Sequence, residues 1–433
     1  MADAPAGRGP WPLIAGGLVS EIIYLAAAIR LPWWRYGSHV RQWSSIVGRG
    51  WGPLIGCLAG AGVLFAAYLW GWRAVRRGRA SRAMVWAFAL VFTATLLWLL
   101  PITSDLFGYL VQAHLLTDLG TNPLLVAPLE VADSRFVLAY LGPYAALPSA
   151  YGPAWALLSA PATLGNYDVA WGVLYLKGLA AAAFLGTAWL LERILHRLRP
   201  ADALVGLYLF AWNPLILFMA VGDGHNDMVM MALALVAFWW LYRERWAPAF
   251  GTLALSIWIK YASAILLPLF LIYAWRRWQR LDRGRRWRAM LCSGLAAAGV
   301  SALAFLFLGG GVGLGDILDR FFHPANWPGA DGSWYAWTLG LGVVVFVVAY
   351  LMLAWRLARG EGSFQHLVNT GFAAAFLAFL LAGVRSQPWH LVWSVSLAGL
   401  SDRRWAWPVV VSLAVVVFVA QFYVEWGLPG WPP

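Results

Sequence analysis

Long apolar runs alternate with short polar or basic stretches along the chain. A run of about 20 apolar residues crosses the hydrocarbon layer of a membrane as one α-helix. The run from Phe250 to Trp275 has arginines at both flanks, so we expect two short helices that turn near Lys260. With that run split, the pattern predicts an all-α polytopic membrane protein with about 13 transmembrane helices. The assigned runs begin near Trp11, Gly52, Met84, Asp168, Asp202, Asp227, Phe250, Met290, Trp337, Leu367, Trp389 and Trp407.

The composition supports a membrane protein and indicates its orientation. Hydrophobic residues make up 62% of the 433, more apolar surface than a soluble chain of this length buries in one core. The net charge of +12 resides in short clusters between apolar runs, such as Arg73–Arg79 and Arg276–Arg288. Such clusters mark cytoplasmic loops, so we expect a lipid bilayer and no nucleic acid as partner. Cys57 and Cys292 lie in apolar runs, which argues against a disulfide framework.

With the arginine clusters in the cytoplasm, the other polar residues gather on the extracytoplasmic side of the plasma (inner) membrane. These segments are the loop 103–150, in which we expect short amphipathic helices, a second outer loop at 310–336, and the stretches Gly222–Asp227 and Arg385–His390. The run from Tyr151 to Leu164 is too short to span a membrane, and we expect it to be re-entrant. The sequence shows no tandem repeat, so we predict a single domain over residues 1–433.

Asp105 follows an apolar run directly, within the stretch "LPITSDLFGYL". Ser104 or Asp105 could cap the helix that starts there, by accepting from its free backbone N–H groups. Alternatively, Asp105 could act as a general base at the boundary of water and membrane, with Tyr109 on the same helical face. The two roles are compatible.

The bend "GDGHND" places Asp223, His225, Asn226 and Asp227 within five residues between two apolar runs. A turn requires glycine and one Asn or Asp, but not two acids and a histidine as well. Capping by Asn226 or Asp227 would leave Asp223 and His225 unexplained. We therefore favour a polar site at this bend.

Both lysines of the chain, Lys177 and Lys260, lie inside apolar runs. A buried ammonium is costly, so each should face a cavity or an anionic partner, unless it snorkels to an interface. Lys177 could pair with an acid such as Glu21. Arg385 could be an interfacial anchor or a phosphate clamp. His323 and His390 could be surface histidines or could face a sugar.

Five motifs in order resemble the membrane-embedded GT-C glycosyltransferases: the Asp–Tyr pair after an early membrane helix, "YGPAW" at Tyr151, "NPL" followed by "GHND", "IKYASAILLPL" and "QPWH". The pattern is most similar to the polyprenyl-phosphate-mannose-dependent α-mannosyltransferases of bacterial envelope glycolipids, over about Leu97 to Leu400. Two features depart from it, because no D-x-D pair precedes Asp105 and "QPW" is followed by His390 rather than another aromatic residue.

The resemblance implies an inverting transfer of a sugar, with mannose favoured, from a polyprenyl-phosphate donor to a glycolipid or glycan acceptor. Asp105 matches the catalytic base of the family. Lys260, Arg385 and His225 would stabilise the leaving phosphate. We expect no cofactor, and activity without a metal, although Asp223 and Asp227 would be the ligands if one were required. Further substrate contacts are expected from Tyr109, Tyr151, Asp223, Asn226, Asp227, His323, Gln387 and His390.

Two other functions are compatible with the composition. A secondary transporter or lipid flippase would use Lys177, Glu21 and Lys260 as an intramembrane path, but such proteins usually contain internal repeats. A non-catalytic scaffold would have no deep outward cavity around Asp105. The sequence has no Walker motif and no G-x-G-x-x-G motif on a strand–helix turn, so nucleotide-driven transport has no support.

Overall fold

The computed structural model describes residues 9–36, 43–131, 145–164, 168–306, 308, 315, 334–381 and 387–426, with only the backbone at 334–339. These residues form helices and no strand, apart from an isolated bridge between Pro32 and Leu99. The all-α prediction is therefore confirmed for this part of the chain. The predicted sites Arg385 and His323 lie outside the described residues.

The α-helices are α1 Trp11–Arg30, α2 Trp33–Tyr36, α3 Trp43–Val47, α4 Trp51–Arg76, α5 Arg82–Leu96, α6 Asp105–Thr117, α7 Pro128–Val131, α8 Pro153–Ser159, α9 Val169–Leu198, α10 Ala203–Ala211, α11 Pro214–Ile216, α12 Asp227–Tyr242, α13 Trp246–Ile259, α14 Leu266–Trp278, α15 Arg283–Leu306, α16 Trp334–Arg359, α17 Phe364–Leu381, α18 Leu391–Ala398 and α19 Ala406–Glu425. A π-helix covers Leu217–Gly222, and 3-10 turns cover Ala160–Ala162, Pro200–Asp202, Tyr261–Ile265 and Pro388–His390.

Within the described ranges, seven helices are long and apolar enough to cross a membrane: α1, α4, α9, α15, α16, α17 and α19. The segments Pro200–Ala211 and Pro214–Gly222 form an eighth candidate with a bend of 49°. Helices α5, α12 and α13 are apolar but shorter. A helix occupies each of the predicted runs, whereas the count of about 13 crossings stays a prediction.

The predicted break near Lys260 is present. Helix α13 ends at Ile259 and α14 begins at Leu266, with a 3-10 turn between them. The rings of Trp246 and Phe250, at the start of α13, lie 5.7 and 6.0 Å from the ring of Trp278 at the end of α14. The chain therefore reverses direction here, as the arginines at both flanks suggested.

Asn213 and Pro214 explain the bend in the eighth candidate. Proline cannot donate to the preceding turn, so the helix breaks before it and restarts with Pro214 in its first turn. The Asn213 side chain caps the new start by accepting from the backbone N–H groups of Leu215 and Ile216, at 3.0 and 3.4 Å. The π-helix that follows ends at Gly222, immediately before the polar bend.

The segment expected to be re-entrant forms α8 and a 3-10 turn, and it packs against α6, α9 and α13. Trp155 is buried there, with its ring 4.9 Å from that of Tyr109. The backbone N–H of Gly152 donates to the carbonyl of Ile259 at 3.2 Å, which fixes the start of α8 beside the end of α13. The relation of this segment to the bilayer stays a prediction.

We predict that Gly152→Ala destabilises the protein, because a Cβ there would lie 2.1 Å from the carbonyl oxygen of Trp258, a backbone atom with little freedom to move. Overpacking of this kind costs about 1–3 kcal/mol. The measurement is the melting temperature in detergent. Gly178→Ala in α9, where nothing lies within 4 Å of the added Cβ, is the matched control and should melt no lower than the wild type, since alanine favours the helix over glycine. Equal melting of the two variants would refute the tight contact.

Candidate active site

Asp105 is the first residue of α6, and its side chain is 25% exposed. Its Oδ2 lies 3.3 Å from Nδ1 of His225, which is 120 residues further along the chain. Ser104 occupies the N-cap position but makes no capping hydrogen bond with its side chain. The capping interpretation of Ser104 is therefore wrong, and Asp105 instead belongs to a tertiary cluster.

His225 is completely buried between two carboxylates. Its Nδ1 faces Asp105, and its Nε2 lies 3.5 Å from Oδ2 of Asp223 and 3.2 Å from the hydroxyl of Thr103. The imidazole ring stacks on the indole of Trp389, with centroids 4.2 Å apart and planes 17° apart. The ring is thus held in one orientation by polar contacts at its edges and by an aromatic face.

These neighbours determine the charge of His225. Burial lowers its pKa, but hydrogen bonds to Asp105 and Asp223 and the charges of both acids outweigh that effect and raise the pKa to about 9. The imidazole is therefore protonated at neutral pH and can donate toward both carboxylates. The prediction that His225 binds the donor phosphate has no support in this geometry, because the ring is buried and both nitrogens face protein groups.

Asp223 is also buried, at 1% exposure. Its Oδ1 accepts from the backbone N–H of Ile102 at 2.7 Å, and its Oδ2 faces His225. The predicted substrate contact by Asp223 has no support, because its carboxylate lies inside the protein. Asp223 instead fixes the segment that leads into Asp105 and orients the imidazole beside it.

Lys177 lies directly behind this cluster and is fully buried. Its ammonium donates to the carbonyl of Gly222 at 2.6 Å and to the carbonyl of Leu99. Glu21 instead accepts a hydrogen bond from the hydroxyl of Thr95. The suggested pair of Lys177 with Glu21 is therefore wrong, and the lysine satisfies two main-chain carbonyls at helix ends.

The last two residues of the bend, Asn226 and Asp227, contact other side chains than His225 does. Asn226 and Asp227 are fully buried, and the backbone N–H of Asn226 donates to the hydroxyl of the buried Tyr109 at 3.5 Å. Both polar atoms of the Asn226 side chain lack a hydrogen-bond partner among the described residues. Asn226 is the N-cap residue of α12 without a side-chain cap. The expected capping by Asn226 is thus wrong.

Asp227 begins α12 and binds Lys260 instead of capping the helix. Its two oxygens lie 2.9 and 2.8 Å from the ammonium of Lys260, and Oδ1 also accepts from the indole N–H of Trp393 at 2.6 Å. The Lys260 side chain is 15% exposed. Its nitrogen lies 5.7 Å from the ring centre of Tyr151 and 6.0 Å from that of Trp393, which places a cation among aromatic faces.

The "QPWH" motif completes the rim of the site. The backbone N–H of Gln387 donates to Nδ1 of His390 at 3.3 Å, and the His390 ring lies 4.7 Å from that of Trp393. Burial and the nearby Lys260 ammonium lower the pKa of His390 to about 3, so it is neutral at physiological pH. The charges of Asp227, His225 and Asp105 also act on this ring. Gln387 is exposed and His390 is half-buried.

The structure thus brings together Asp105, His225, Asp227, Lys260 and His390, which the sequence separates by up to 285 positions, from 105 to 390. Sequence reasoning missed Trp389 and Trp393, although both belong to the stretch that begins with "QPWH". In the part of the chain that the structure describes, no group of three His, Cys, Asp or Glu side chains is placed to hold a metal ion.

The fold and the site define an integral-membrane protein with a polar, partly buried site at one end of its helices. Comparisons with known proteins identify the family to which the chain belongs. The model of the family described as alpha-(1->6)-mannopyranosyltransferase, N-terminal domain, matches residues 14–277. The chain therefore belongs to this family, and the resemblance to the GT-C mannosyltransferases is confirmed.

Named relatives agree with the family model. Alpha-(1->6)-mannopyranosyltransferase A of Mycobacterium tuberculosis is 29% identical to this chain, and the match covers 94% of this chain and 81% of that protein. Alpha-(1->6)-mannopyranosyltransferase B of Corynebacterium glutamicum is 24% identical, and the match covers 78% of this chain and 60% of that protein. Alpha-(1->6)-mannopyranosyltransferase A of C. glutamicum is 21% identical, and the match covers 78% of this chain and 74% of that protein.

We predict that His225 makes stability depend on pH. Its pKa rises from an ordinary 6.5 to about 9 on folding, so its contribution is fully present below pH 6.5 and is lost as pH rises through about 9. The full effect is roughly 3 kcal/mol. Melting temperatures between pH 6 and 10 should fall for the wild type and vary little for His225→Gln. Parallel curves for wild type and His225→Gln would contradict the assignment.

Proposed function

We propose that this protein is an inverting mannosyltransferase that uses a polyprenyl-phosphate-linked donor at the extracytoplasmic face of the plasma membrane. The acceptor would be a lipid-linked sugar or a glycan. Membership of the alpha-(1->6)-mannopyranosyltransferase family supports the transfer of mannose. The polar site lies at the end of the eighth candidate span and at the start of the apolar helix α12, a position that supports a donor carried by a membrane lipid.

The partly exposed carboxylate of Asp105, held by the buried His225, is the observation that carries this proposal. One oxygen of Asp105 faces the imidazolium, which fixes the direction of the carboxylate. Among the described residues, the other oxygen has no hydrogen-bond partner, so it is left for the acceptor hydroxyl. The acceptor oxygen attacks the anomeric carbon and gives its proton to Asp105, while the bond to the lipid phosphate breaks and its electrons leave with the phosphate.

Lys260 is the candidate for stabilising the leaving phosphate. Its side chain is 15% exposed, and the buried Asp227 holds the ammonium in place. The Lys260–Asp227 pair has no net charge. Arg385, predicted for the same role, would therefore add the positive charge that a phosphate requires. His225 acts in this scheme through Asp105 rather than on the phosphate.

The remaining predicted residues form an accessible group and a buried group. Tyr151, Gln387 and His390 lie at the rim and are the candidates for contact with the sugar, together with His323 of the second outer loop. Because Nδ1 of the neutral His390 accepts from the backbone N–H of Gln387, its Nε2–H is left to donate to a sugar hydroxyl. Tyr109, Asp223, Asn226 and Asp227 are buried, and in our proposal they support the residues in front of them.

The transporter or flippase alternative receives less support. Its path would need Glu21 and Lys177, but each is already engaged by a different neighbour, Thr95 for Glu21 and two carbonyls for Lys177. The family membership likewise favours an enzyme over a transporter or a scaffold.

We predict that Asp105→Asn lowers mannosyl transfer by a factor of about 10²–10⁴, because the amide cannot accept the acceptor proton. Products of reactions with polyprenyl-phosphate mannose would be measured by mass spectrometry. The substitution keeps the shape of the side chain, so the melting temperature should show a folded protein. Asp118→Asn, at the exposed end of the same helical segment, is the control and should keep its activity. Near-normal turnover by Asp105→Asn would reject the general-base assignment.

Metal dependence gives a separate test. The stretch preceding Asp105 has no D-x-D pair, and Asp223 and Asp227 are both bound to protein groups, so we predict that transfer survives EDTA. Initial rates would be compared with and without the chelator. A complete loss of rate that magnesium or manganese restores would contradict this prediction.

A further inference from the structure

A second polar region lies at the opposite end of the helices that carry the active site. A cavity of about 370 Å³ is lined by Arg82, Trp189, Glu192, Arg193, His196 and Arg197. Helix α9 runs from the site to this cavity, since Arg193 follows Lys177 by 16 residues, or about 24 Å along the helix. Helices α5 and α12 join the same two ends, because each has one end at the active site and the other near the cavity.

Three guanidinium groups converge on one indole beside this cavity. Arg193, Arg197 and Arg243 place their guanidinium carbons 5.4, 5.7 and 5.5 Å from the ring centre of Trp239. Arg193 also lies 5.1 Å from the ring of Trp189. All three arginines are exposed at the protein surface. Contact with an indole face holds the planar guanidiniums in place and leaves their N–H edges available.

No carboxylate within the described ranges lies within ion-pair distance of these three arginines. The nearby Glu192 is already engaged, because its carboxylate accepts from Arg82 at 2.6 and 3.0 Å and from the indole of Trp86 at 3.1 Å. Three like charges therefore lie side by side without a counter-ion from the protein. A phosphate group, which accepts paired hydrogen bonds from arginine, would supply the missing negative charge.

The surroundings favour a lipid as the source of that phosphate. Trp189 is 47% exposed, and it belongs to α9, which is long and apolar enough to cross a membrane. It precedes Arg193 by one helical turn, so an exposed indole is followed at once by a cluster of cations. This order along a spanning helix is typical of the level at which acyl chains give way to headgroups.

We propose that this cavity binds the phosphate of an anionic phospholipid in the leaflet opposite to the active site. Arg193 and Arg197 would contact the headgroup, Arg243 would add charge, and Trp189 would lie against the glycerol and upper acyl region. The Arg82–Glu192 pair forms the wall of the cavity. This proposal does not depend on the reaction proposed for the protein.

The test is lipid binding to the purified protein, with phosphatidylglycerol, phosphatidylcholine and inorganic phosphate as probes. Native mass spectrometry should show phosphatidylglycerol retained in preference to phosphatidylcholine, and the melting temperature should rise with the former. The double variant Arg193→Gln/Arg197→Gln should lose about tenfold or more in affinity for phosphatidylglycerol. Arg193→Gln alone should lose less, which provides a second variant if the double one does not fold.

The control is Arg283→Gln/Arg288→Gln, which removes the same charge from exposed positions of α15. It should bind phosphatidylglycerol as the wild type does. An equal loss in both double variants would overturn the proposal, since it would indicate attraction to surface charge in general. Equal binding of both lipids, or stabilisation by inorganic phosphate as large as that by phosphatidylglycerol, would overturn it as well.

Discussion

The ammonium of Lys177 donates to the carbonyl oxygens of Leu99 and Gly222, which lie at the ends of two separate helical segments. Burying a charge is costly unless it is well hydrogen-bonded, so this contact fixes both segments at once. A second contact, from the N–H of Ile102 to Asp223, joins the same two segments a few residues further on. Asp105 and His225 come next along them. The distance between the carboxylate of Asp105 and the imidazole of His225 therefore depends on these two contacts.

The break near Lys260 could be predicted because the length of an apolar run and the charges at its flanks act locally. The bend at Asn213–Pro214 has an equally local cause, since proline lacks the N–H group that would continue the helix. The two lysines in apolar runs indicated polar surroundings for a physical reason. An ammonium in such a run must find acceptors, and both lysines found them at the edge of the same polar cluster.

The partners of each polar residue could not be predicted in the same way, since they come from distant parts of the chain. Asn226 was expected to cap a helix, yet its side chain makes no such bond. His225 was expected to bind phosphate, but it lies between Asp105 and Asp223. Asp223 is two residues away in the sequence, whereas Asp105 is more than a hundred residues away. The stacking of Trp389 on His225 joins two motifs that have no sequence relationship.

The bend 223–227 explains how one short segment supports two different chemical tasks. His225 presents a cation toward Asp105, and Asp227, two residues later, presents an anion toward Lys260. The chain turns sharply just before these two residues, and Gly224 permits this turn with a φ of +72°. A Cβ at Gly224 would also lie 2.7 Å from Leu106, the residue after Asp105. Close packing of Gly224 against Leu106 thus places the bend that carries His225 and Asp227 directly beside the start of α6, where the proposed base lies.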